Sequence, residues 1–191
     1  MLFNYMKKNF VLIGLLALLM LFGVFMFFSS QRSTSQNSAK FSDTKTETDK
    51  SFINDMIEHH MGAISMAKEA QEKSQRDEIK QLSNNIIAAQ EKEITILYDW
   101  KKNWYNDTDK VEIQGGHGAS MMQDLGNADE EFDLRFINAM VDHHQGAIDM
   151  ANNILKTTQR EEIKTLAQNI IADQTKEINQ MNEWKKSWYS Q

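Results

Sequence analysis

The chain has 191 residues, 41% of them hydrophobic and 25% charged, with a formal net charge of −6. This length allows one domain plus an appendage, and without a block of Lys and Arg in the soluble part no nucleic-acid partner is expected, because phosphate binding needs a concentrated basic face. The absence of Cys excludes a disulfide framework and a thiolate metal site, while the absence of Pro and the presence of only 8 Gly favour long helices.

The first predicted element is a membrane anchor at 10–28, a run without a charged residue. A helix of that length crosses the roughly 30 Å of a bilayer's hydrocarbon core. Lys7 and Lys8 precede the run and only Arg32 closely follows it, so the positive-inside tendency places 1–9 in the cytoplasm. A cleaved signal peptide is the alternative, but its apolar region would be shorter and would end in an A-x-A-like site. Both interpretations place the remaining domain on the periplasmic or extracellular face of the cell membrane.

Residues 29–48 are rich in Ser, Thr, Gln, Lys and Asp and are predicted to form a flexible linker. After this linker the sequence repeats itself. Shifted by 84 positions, 51–105 aligns with 135–189 without a gap, and 30 of the 55 pairs are identical. Such agreement indicates an internal duplication. The predicted domain at 49–189 therefore contains repeat 1, a connecting loop and repeat 2, at 49–105, 106–130 and 131–189.

Each repeat is predicted to form two helices. In repeat 1 they run from about Asp49 to Glu72 and from about Arg76 to Trp104, because apolar residues recur there at three- and four-residue spacing. A short polar stretch joins them, so they should pack as an antiparallel hairpin. One hairpin cannot bury both of its apolar stripes, and two together make an all-α, antiparallel four-helix bundle with pseudo-twofold symmetry. A short helix is also expected in the connecting loop, near 121–125.

Several polar side chains fall where the core of this bundle should be. In the first helix, His59 and His60 border the apolar stripe, beside Met66 and Met56 respectively. In the second helix, Glu93 lies near the middle of the stripe, where a carboxylate is costly unless it is paired or metal-bound. Gln90, one turn before Glu93, completes the set in repeat 1. The set in repeat 2 consists of Met140, His143, His144, Met150, Gln174, Glu177 and Met181.

These buried polar residues have two interpretations. In the first, each histidine donates a hydrogen bond to Glu93 or Glu177, which gives a polar network that fixes helix register, and the methionines only fill the core. In the second, the histidines hold a metal ion, with the two glutamines as hydrogen-bonding partners. Four of the five histidines lie at these duplicated positions, opposite carboxylates on the facing helices. We therefore predict a metal site, and the glutamates either bind the metal or orient the histidines.

The types of ligand restrict the choice of metal. Thioether with imidazole favours Cu(I), whereas imidazole with carboxylate suits iron, manganese, zinc or Cu(II). Outside the cytoplasm, where Cys is prone to oxidation, Met and His together are a sensible way to hold Cu(I). A second candidate His/Met cluster lies in the connecting loop, at His117, Met121 and Met122, and its alternative interpretation is an ordinary polar loop.

The paired histidine motifs resemble those of the DUF305 family of exported bacterial proteins. The first motif, at 52–63, reads Phe-Ile-Asn-Asp-Met-Ile-Glu-His-His-Met-Gly-Ala, and the second, at 140–151, reads Met-Val-Asp-His-His-Gln-Gly-Ala-Ile-Asp-Met-Ala. The second helix of repeat 2 also matches, through Gln174, Glu177 and Met181. The resemblance covers essentially 49–189. It implies a ferritin-like four-helix bundle and copper binding linked to copper tolerance, with the four histidines and the surrounding methionines as the site.

Two departures from related patterns affect these expectations. Met61 occupies the position where repeat 2 has Gln145, and its place on the helical wheel predicts that it faces solvent. Iron carboxylate bundles use Glu-x-x-His helices, but Met56 stands three residues before His59 and Ile57 three before His60. The second departure argues against a di-iron oxidase.

The sequence therefore predicts a single-pass, membrane-anchored copper protein that buffers Cu(I) or hands it to a copper-handling partner protein. A ferritin-like di-metal oxidase using Glu93 and Glu177 is one alternative, and a metal-free helical interaction module is another. No catalytic residues are predicted, because no nucleophile triad, phosphate-binding glycine loop or nucleotide motif is visible.

Overall fold

The computed structural model describes residues 48–112 and 124–190. These residues belong to one compact unit, Lys45–Gln191, and form an all-helical bundle without strands. Its four helices are α1 at 48–73, α2 at Asp77–Tyr105, α3 at Phe132–Leu155 and α4 at Glu161–Tyr189. The predicted four-helix bundle is confirmed, and the helix bounds in repeat 1 agree with the prediction to within a residue.

Several predictions fall on residues that the structure does not describe. They are the anchor at 10–28, nearly all of the linker at 29–48, and the loop residues His117, Met121 and Met122. Across the two described ranges, no helix is both long enough and apolar enough to span a bilayer.

The turns inside the two hairpins are built in the same way. The N–H of Ser74 donates to the carbonyl of Ala70 at 3.0 Å, and the Ser74 hydroxyl accepts the N–H of Arg76 at 3.1 Å. Thr158 makes the equivalent two contacts in repeat 2, at 2.9 and 3.2 Å. Two acidic residues then open each following helix, where carboxylates interact favourably with the positive end of the helix dipole. The duplicated sequence therefore gives two hairpins with the same short connection.

Two apolar clusters form the core. The first apolar cluster contains Ala63, Met66, Ala67, Ala70, Ile79, Leu82, Ile86, Leu125, Phe132, Phe136, Ile137, Ala139, Met140 and Met181. The second apolar cluster contains Phe52, Ile53, Met56, Ile57, Leu97, Ala147, Ala151, Ile154, Ile163, Leu166, Ala167 and Ile170. Each cluster takes residues from all four helices, so each occupies one end of the bundle. The stretches of α1 and α3 that lie between the two clusters in sequence contain all four predicted histidines.

The clusters also define the direction of each helix. The starts of α2 and α3 both lie in the first apolar cluster, whereas the starts of α1 and α4 both lie in the second. Each hairpin is thus antiparallel, as predicted, but α2 and α3 run in the same direction. The cause is the long connection between them, because α2 ends at one end of the bundle and α3 begins at the other. A single long crossover of this kind is known in several helix bundles, and the ferritin-like comparison itself stays a prediction.

Both described ends of the connecting loop are fastened to the bundle. At one end, the ammonium group of the buried Lys101 donates to the carbonyl of Asp109 at 2.6 Å, and the N–H of Val111 donates to the Tyr98 hydroxyl at 3.0 Å. At the other end, Arg135 donates to the carbonyl of Leu125 at 2.7 Å. Leu125 is buried in the first apolar cluster and lies outside any helix, so the predicted short helix does not include this residue.

Reciprocal contacts between the repeats join the two hairpins. Arg76 in the first turn lies 3.4 Å from the carboxylate of Asp133 and 4.3 Å above the ring of Trp188, both in repeat 2. The same contacts, at 3.5 and 4.2 Å, are made by the equivalent residues Arg160, Asp49 and Trp104. In each case a guanidinium group stacks on an indole face and pairs with a carboxylate. Trp104 and Trp188 therefore pack at the bundle ends, against the turn of the other repeat.

Candidate metal centre

A polar layer crosses the middle of the bundle between the two apolar clusters. It brings together four side chains from α1 and α3, with exposed fractions of 1% for His59, 0% for His60, 6% for His143 and 0% for His144. The facing helices α2 and α4 contribute two glutamines and two glutamates to it, Gln90, Glu93, Gln174 and Glu177. This group is called the histidine layer below. Its histidines are buried, as the helical spacing predicted.

Two of the four histidines are paired with glutamates. The Nε2 atom of His144 lies 2.6 Å from the Oε2 atom of Glu177, in hydrogen-bond geometry. The Nε2 atom of His60 lies 2.7 Å from the Oε2 atom of Glu93, although this contact lacks the alignment of a hydrogen bond. Both glutamates are about one-fifth exposed or less, at 20% and 17% of their side-chain surface. Each partly exposed carboxylate thus lies between a fully buried imidazole and the solvent.

The other two histidines face each other across the bundle without such partners. The ring centroids of His59 and His143 are 3.9 Å apart, with 52° between the ring planes. Neither ring has a hydrogen-bond partner on either nitrogen. Burial, followed by electrostatic interaction with the neighbouring rings of His60 and His144, lowers the pKa of His59 to about 3, and the backbone of His143 opposes this shift. Both rings are therefore neutral at ordinary pH.

The pKa of His143 is lowered still further, to about 2, again mainly by burial and next by His59. Neutral imidazoles with unshared lone pairs are the form in which histidine binds metals. The layer contains six buried ring nitrogens with neither a hydrogen-bond partner nor a carboxylate beside them: both of His59, both of His143, and the Nδ1 atoms of His60 and His144. Buried polar atoms without a partner are unusual and costly, so this donor set fits a bound cation.

A small residue opposite His59 makes room for its ring. A Cβ atom added at Gly146 would lie 3.1 Å from the Nε2 atom of His59 and 4.0 Å from its Cδ2 atom. An alanine at this position would therefore push the ring by a few tenths of an ångström. The sequence prediction missed this role of Gly146. The only signal available in the sequence is that each histidine pair is followed, two residues later, by a glycine.

The predicted methionine ligands are divided between the two sides of the histidine layer. Met66, Met140 and Met181 are at most 2% exposed and belong to the first apolar cluster. Met56 is fully buried in the second. Met150 is only half-buried and lines a surface groove of about 310 Å³ near the start of α1. The structure thus separates Met150, by its exposure, from the four buried thioethers.

Two sequence-based expectations at this site are corrected by the structure. Met61 does not face solvent as predicted, but is half-buried and packs against the second apolar cluster. Gln90 and Gln174 were expected to be hydrogen-bonding partners, yet their side-chain carbonyl oxygens are buried and have no partner. Among the residues that the structure describes, no three His, Asp or Glu side chains are arranged as a ready-made metal site. A bound cation would therefore have to draw the layer's rings together.

The fold and this site define a helical domain with an internally duplicated, histidine-lined core. The model of the DUF305 family, described as a domain of unknown function, matches residues 49–185, and the chain belongs to this family. A short stretch is also similar to an uncharacterized protein of Acanthamoeba polyphaga mimivirus, with 44% identity over 50 residues. That match covers 26% of this chain and 33% of the viral protein, so the chain spans about a third of that relative's length.

Solved structures with the same fold include several forms of CopM. The Cu(II)-bound form of CopM is 39% identical, with a TM-score of 0.66, and the match covers 74% of this chain and 97% of that one. The Cu(I)-bound form is 37% identical over the same shares, with a TM-score of 0.63. A DUF305 protein of Streptomyces coelicolor, described as a putative secreted protein, is 21% identical with a TM-score of 0.65, covering 73% of this chain and 91% of that one. The last similarity shows the fold alone.

Proposed function

We propose that this protein binds copper, with Cu(I) as the favoured ion, and buffers it or hands it to another copper-handling protein. The similarity to CopM, whose structures include Cu(I)-bound, Cu(II)-bound and Ag-bound forms, supports this proposal. The match covers 97% of the CopM chain in both the Cu(I)-bound and the Cu(II)-bound form.

The observation that carries the proposal is the unpartnered pair, His59 and His143. A purely structural polar network accounts for His60 and His144, because each has a glutamate at its Nε2 atom. It does not account for the two rings whose four nitrogens are all buried without a partner. Leaving such groups unsatisfied costs on the order of 1–3 kcal/mol each in a folded protein. A metal ion offsets this cost, since imidazole nitrogens are good ligands for copper.

Thioethers close to the histidine layer explain the preference for Cu(I). Met56 and Met140 each precede a histidine of the layer by one helical turn, and both are fully buried. Soft thioether ligands favour Cu(I) over harder cations. We propose that the imidazoles of the layer hold the ion and that these thioethers select its oxidation state.

The location of the protein is a further part of this proposal. The uncharged run at 10–28, preceded by Lys7 and Lys8, supports an uncleaved membrane anchor. On this proposal the bundle lies at the outer face of the cell membrane, where copper arrives from outside the cell. Labelling of a single introduced cysteine in the bundle of intact cells with a membrane-impermeant reagent would test it, since only an exported domain reacts.

The copper proposal is tested by titrating the full-length protein with Cu(I) against a competing chromogenic chelator, with Fe(II) and Zn(II) in parallel. Replacing His59, His60, His143 and His144 with Ala is expected to abolish tight Cu(I) binding while circular dichroism still shows a helical domain. The matched control is His117→Ala, which removes the fifth histidine but leaves the histidine layer intact. Unchanged Cu(I) affinity in the four-histidine variant would overturn the proposal, and loss of binding in His117→Ala would assign copper to the loop.

The His–Glu contacts favour one second candidate, a di-metal oxidase that uses imidazole with carboxylate. Glu93 and Glu177 lie on facing helices, each beside a histidine, which provides part of such a centre, although the Glu-x-x-His spacing of iron carboxylate bundles is absent. This candidate predicts tight Fe(II) or Mn(II) binding and oxygen consumption by the loaded protein. If the folded protein instead binds no metal and is not stabilised by any, the metal-free interaction module would replace both candidates.

A further inference from the structure

The two kinds of histidine in the layer differ in which nitrogen is available. His59 and His143 have both ring nitrogens free, whereas His60 and His144 each have a carboxylate oxygen at Nε2 and no partner at Nδ1. The same arrangement occurs in both repeats. It rests on four side chains that are on different helices, so it is not a consequence of local helix geometry.

The chemistry of the carboxylate determines which nitrogen carries the hydrogen. An ionised carboxylate only accepts hydrogen bonds, and at 2.6 Å from Oε2 of Glu177 the Nε2 atom of His144 must therefore be the donor. A neutral imidazole has one N–H and one lone pair. In the neutral form, which is the form that binds a metal, the lone pair of His144 is then on Nδ1, which is buried and has no hydrogen-bond partner. His60 and Glu93 have the same nitrogen and oxygen 2.7 Å apart.

We propose that Glu93 and Glu177 are positioning residues, which hold His60 and His144 in the Nε2–H form so that each presents Nδ1 to the copper ion. This inference rests on the proposed copper function and specifies how two of its ligands are presented. On this basis the glutamates do not bind the metal themselves. Hydrogen-bonded carboxylates of this kind fix the tautomer and ring orientation of metal-binding histidines in other proteins.

The two pairs are expected to differ in strength. The contact of His144 with Glu177 has hydrogen-bond geometry, whereas that of His60 with Glu93 does not. Because alignment strengthens a hydrogen bond, Glu177 should fix its histidine more firmly than Glu93. Substitution at Glu177 is therefore expected to have the larger effect.

The test is NMR of the full-length protein in detergent, with ¹⁵N-labelled histidine, before and after Cu(I) is added. In the metal-free protein, His60 and His144 should show Nε2–H signals, with that of His144 shifted downfield and slow to exchange. On adding Cu(I), which is diamagnetic, the ¹⁵N shifts of their Nδ1 atoms should move while the Nε2–H signals remain. If Nε2 moves instead and its proton is lost, the glutamates are displaced or bind the ion, and the proposal is overturned.

Two further outcomes separate this inference from the copper function. If only His59 and His143 respond to Cu(I), the copper function stands but His60 and His144 are not ligands, which overturns the inference. If no histidine responds and no Cu(I) binds, the copper function itself fails. The Nε2–H signals of the metal-free protein still test whether the glutamates hold His60 and His144 in the Nε2–H form. Absence of these signals would overturn that claim as well.

Substitutions give a second readout. Glu177→Leu should remove the protected Nε2–H signal of His144 and lower Cu(I) affinity about 10- to 100-fold, as loss of such a partner does elsewhere. Glu177→Gln, which keeps an accepting oxygen, should retain the signal and lose less affinity, and it remains informative if the Leu variant fails to fold. The matched control is Glu183→Leu on the exposed part of the same helix, where no change is expected. Equal affinity in Glu177→Leu and the control would overturn the proposal.

Discussion

The two apolar clusters are built from the same repeated sequence, yet they differ in content and in closure. The first apolar cluster contains three buried methionines and Phe132, and Leu125 of the connecting loop closes it. In the second, Leu97 occupies the position equivalent to Met181, and Thr48 occupies that equivalent to Phe132. A surface groove opens beside it. The duplication thus provides two equivalent helical hairpins. A few substitutions and the single connecting loop then make the two ends of the bundle different.

The largest expected effect tests whether the first apolar cluster is the tighter one. Phe136 and Phe52 are repeat equivalents, but Phe136 is 0% exposed whereas Phe52 is 6% exposed and lines the groove. Phe136→Ala should lower the free energy of unfolding by about 3–5 kcal/mol, and Phe52→Ala by about 1 kcal/mol less, because the groove already limits its packing. Urea unfolding of both variants checks this. A larger loss in Phe52→Ala would reverse the comparison.

The next effect concerns the histidine layer that separates the clusters. The pKa of His59 falls from 6.5 to about 3 on folding, mainly through burial, and that of His143 from 6.5 to about 2. Between the unfolded and folded values the unfolded chain binds more protons, so stability is full above about pH 6.5 and falls as the pH drops towards the folded pKa values. Because the two rings take up protons only in the unfolded chain, the free energy of unfolding of the metal-free protein should fall by about 2–3 kcal/mol between pH 7.5 and 5.5.

Urea unfolding of the metal-free protein at a series of pH values measures this slope. In a variant with His59→Gln and His143→Gln, the slope over the same pH range should become much shallower, because glutamine does not titrate. A slope as steep as that of the parent protein would show that other groups cause the pH dependence.

The reciprocal arginine contacts are expected to be the exception to this inequality, because their loss should lower stability equally at both ends of the bundle. Arg76 and Arg160 stack on indole rings at 4.3 and 4.2 Å and pair with carboxylates at 3.4 and 3.5 Å. Since both guanidinium groups are more than a third exposed, Arg76→Ala and Arg160→Ala should each cost about 1 kcal/mol of stability. Thermal unfolding of the two variants would show unequal shifts if one contact were of minor importance.

Little effect on stability is expected from making the two clusters more alike in sulfur content. Met181→Leu places the residue of Leu97 in the first apolar cluster and should change stability by less than about 1.5 kcal/mol. If the Met181 thioether contributes to copper selection, the variant should lose Cu(I) affinity several-fold with little change for Zn(II), since thioethers favour the softer ion. Competition titrations with both ions measure this. Parallel losses for both ions would indicate a change in packing alone.

The sequence predicted the features that depend on helical spacing. The burial of His59 and His60 follows from their position on the apolar stripe, and the internal repeat carries that result to His143 and His144. Contacts between helices could not be predicted from the spacing of residues within one helix. The helical wheel of α1 therefore did not show that Met61 packs against the second apolar cluster.

Features that depend on the path of the connecting loop were also missed. The common direction of α2 and α3 follows from a loop that joins opposite ends of the bundle, and its length alone also permitted a return to the same end. The clearance at Gly146 requires the distance between α1 and α3, which no spacing within one helix provides. For the same reason the sequence left open whether the glutamates bind metal or orient histidines, since both roles place a carboxylate beside an imidazole.

The arginine contacts at the bundle ends reach only from one repeat to the other. Two separate copies of a single hairpin, related by a twofold axis, could make every one of them, because a symmetric homodimer requires the same surface to serve on both sides. In such a dimer any substitution appears twice. Fusion of the copies into one chain removes that constraint, so Met181 can arise without changing Leu97, and Met61 without changing Gln145. The covalent link thus allows one half of the histidine layer and its surroundings to evolve independently of the other.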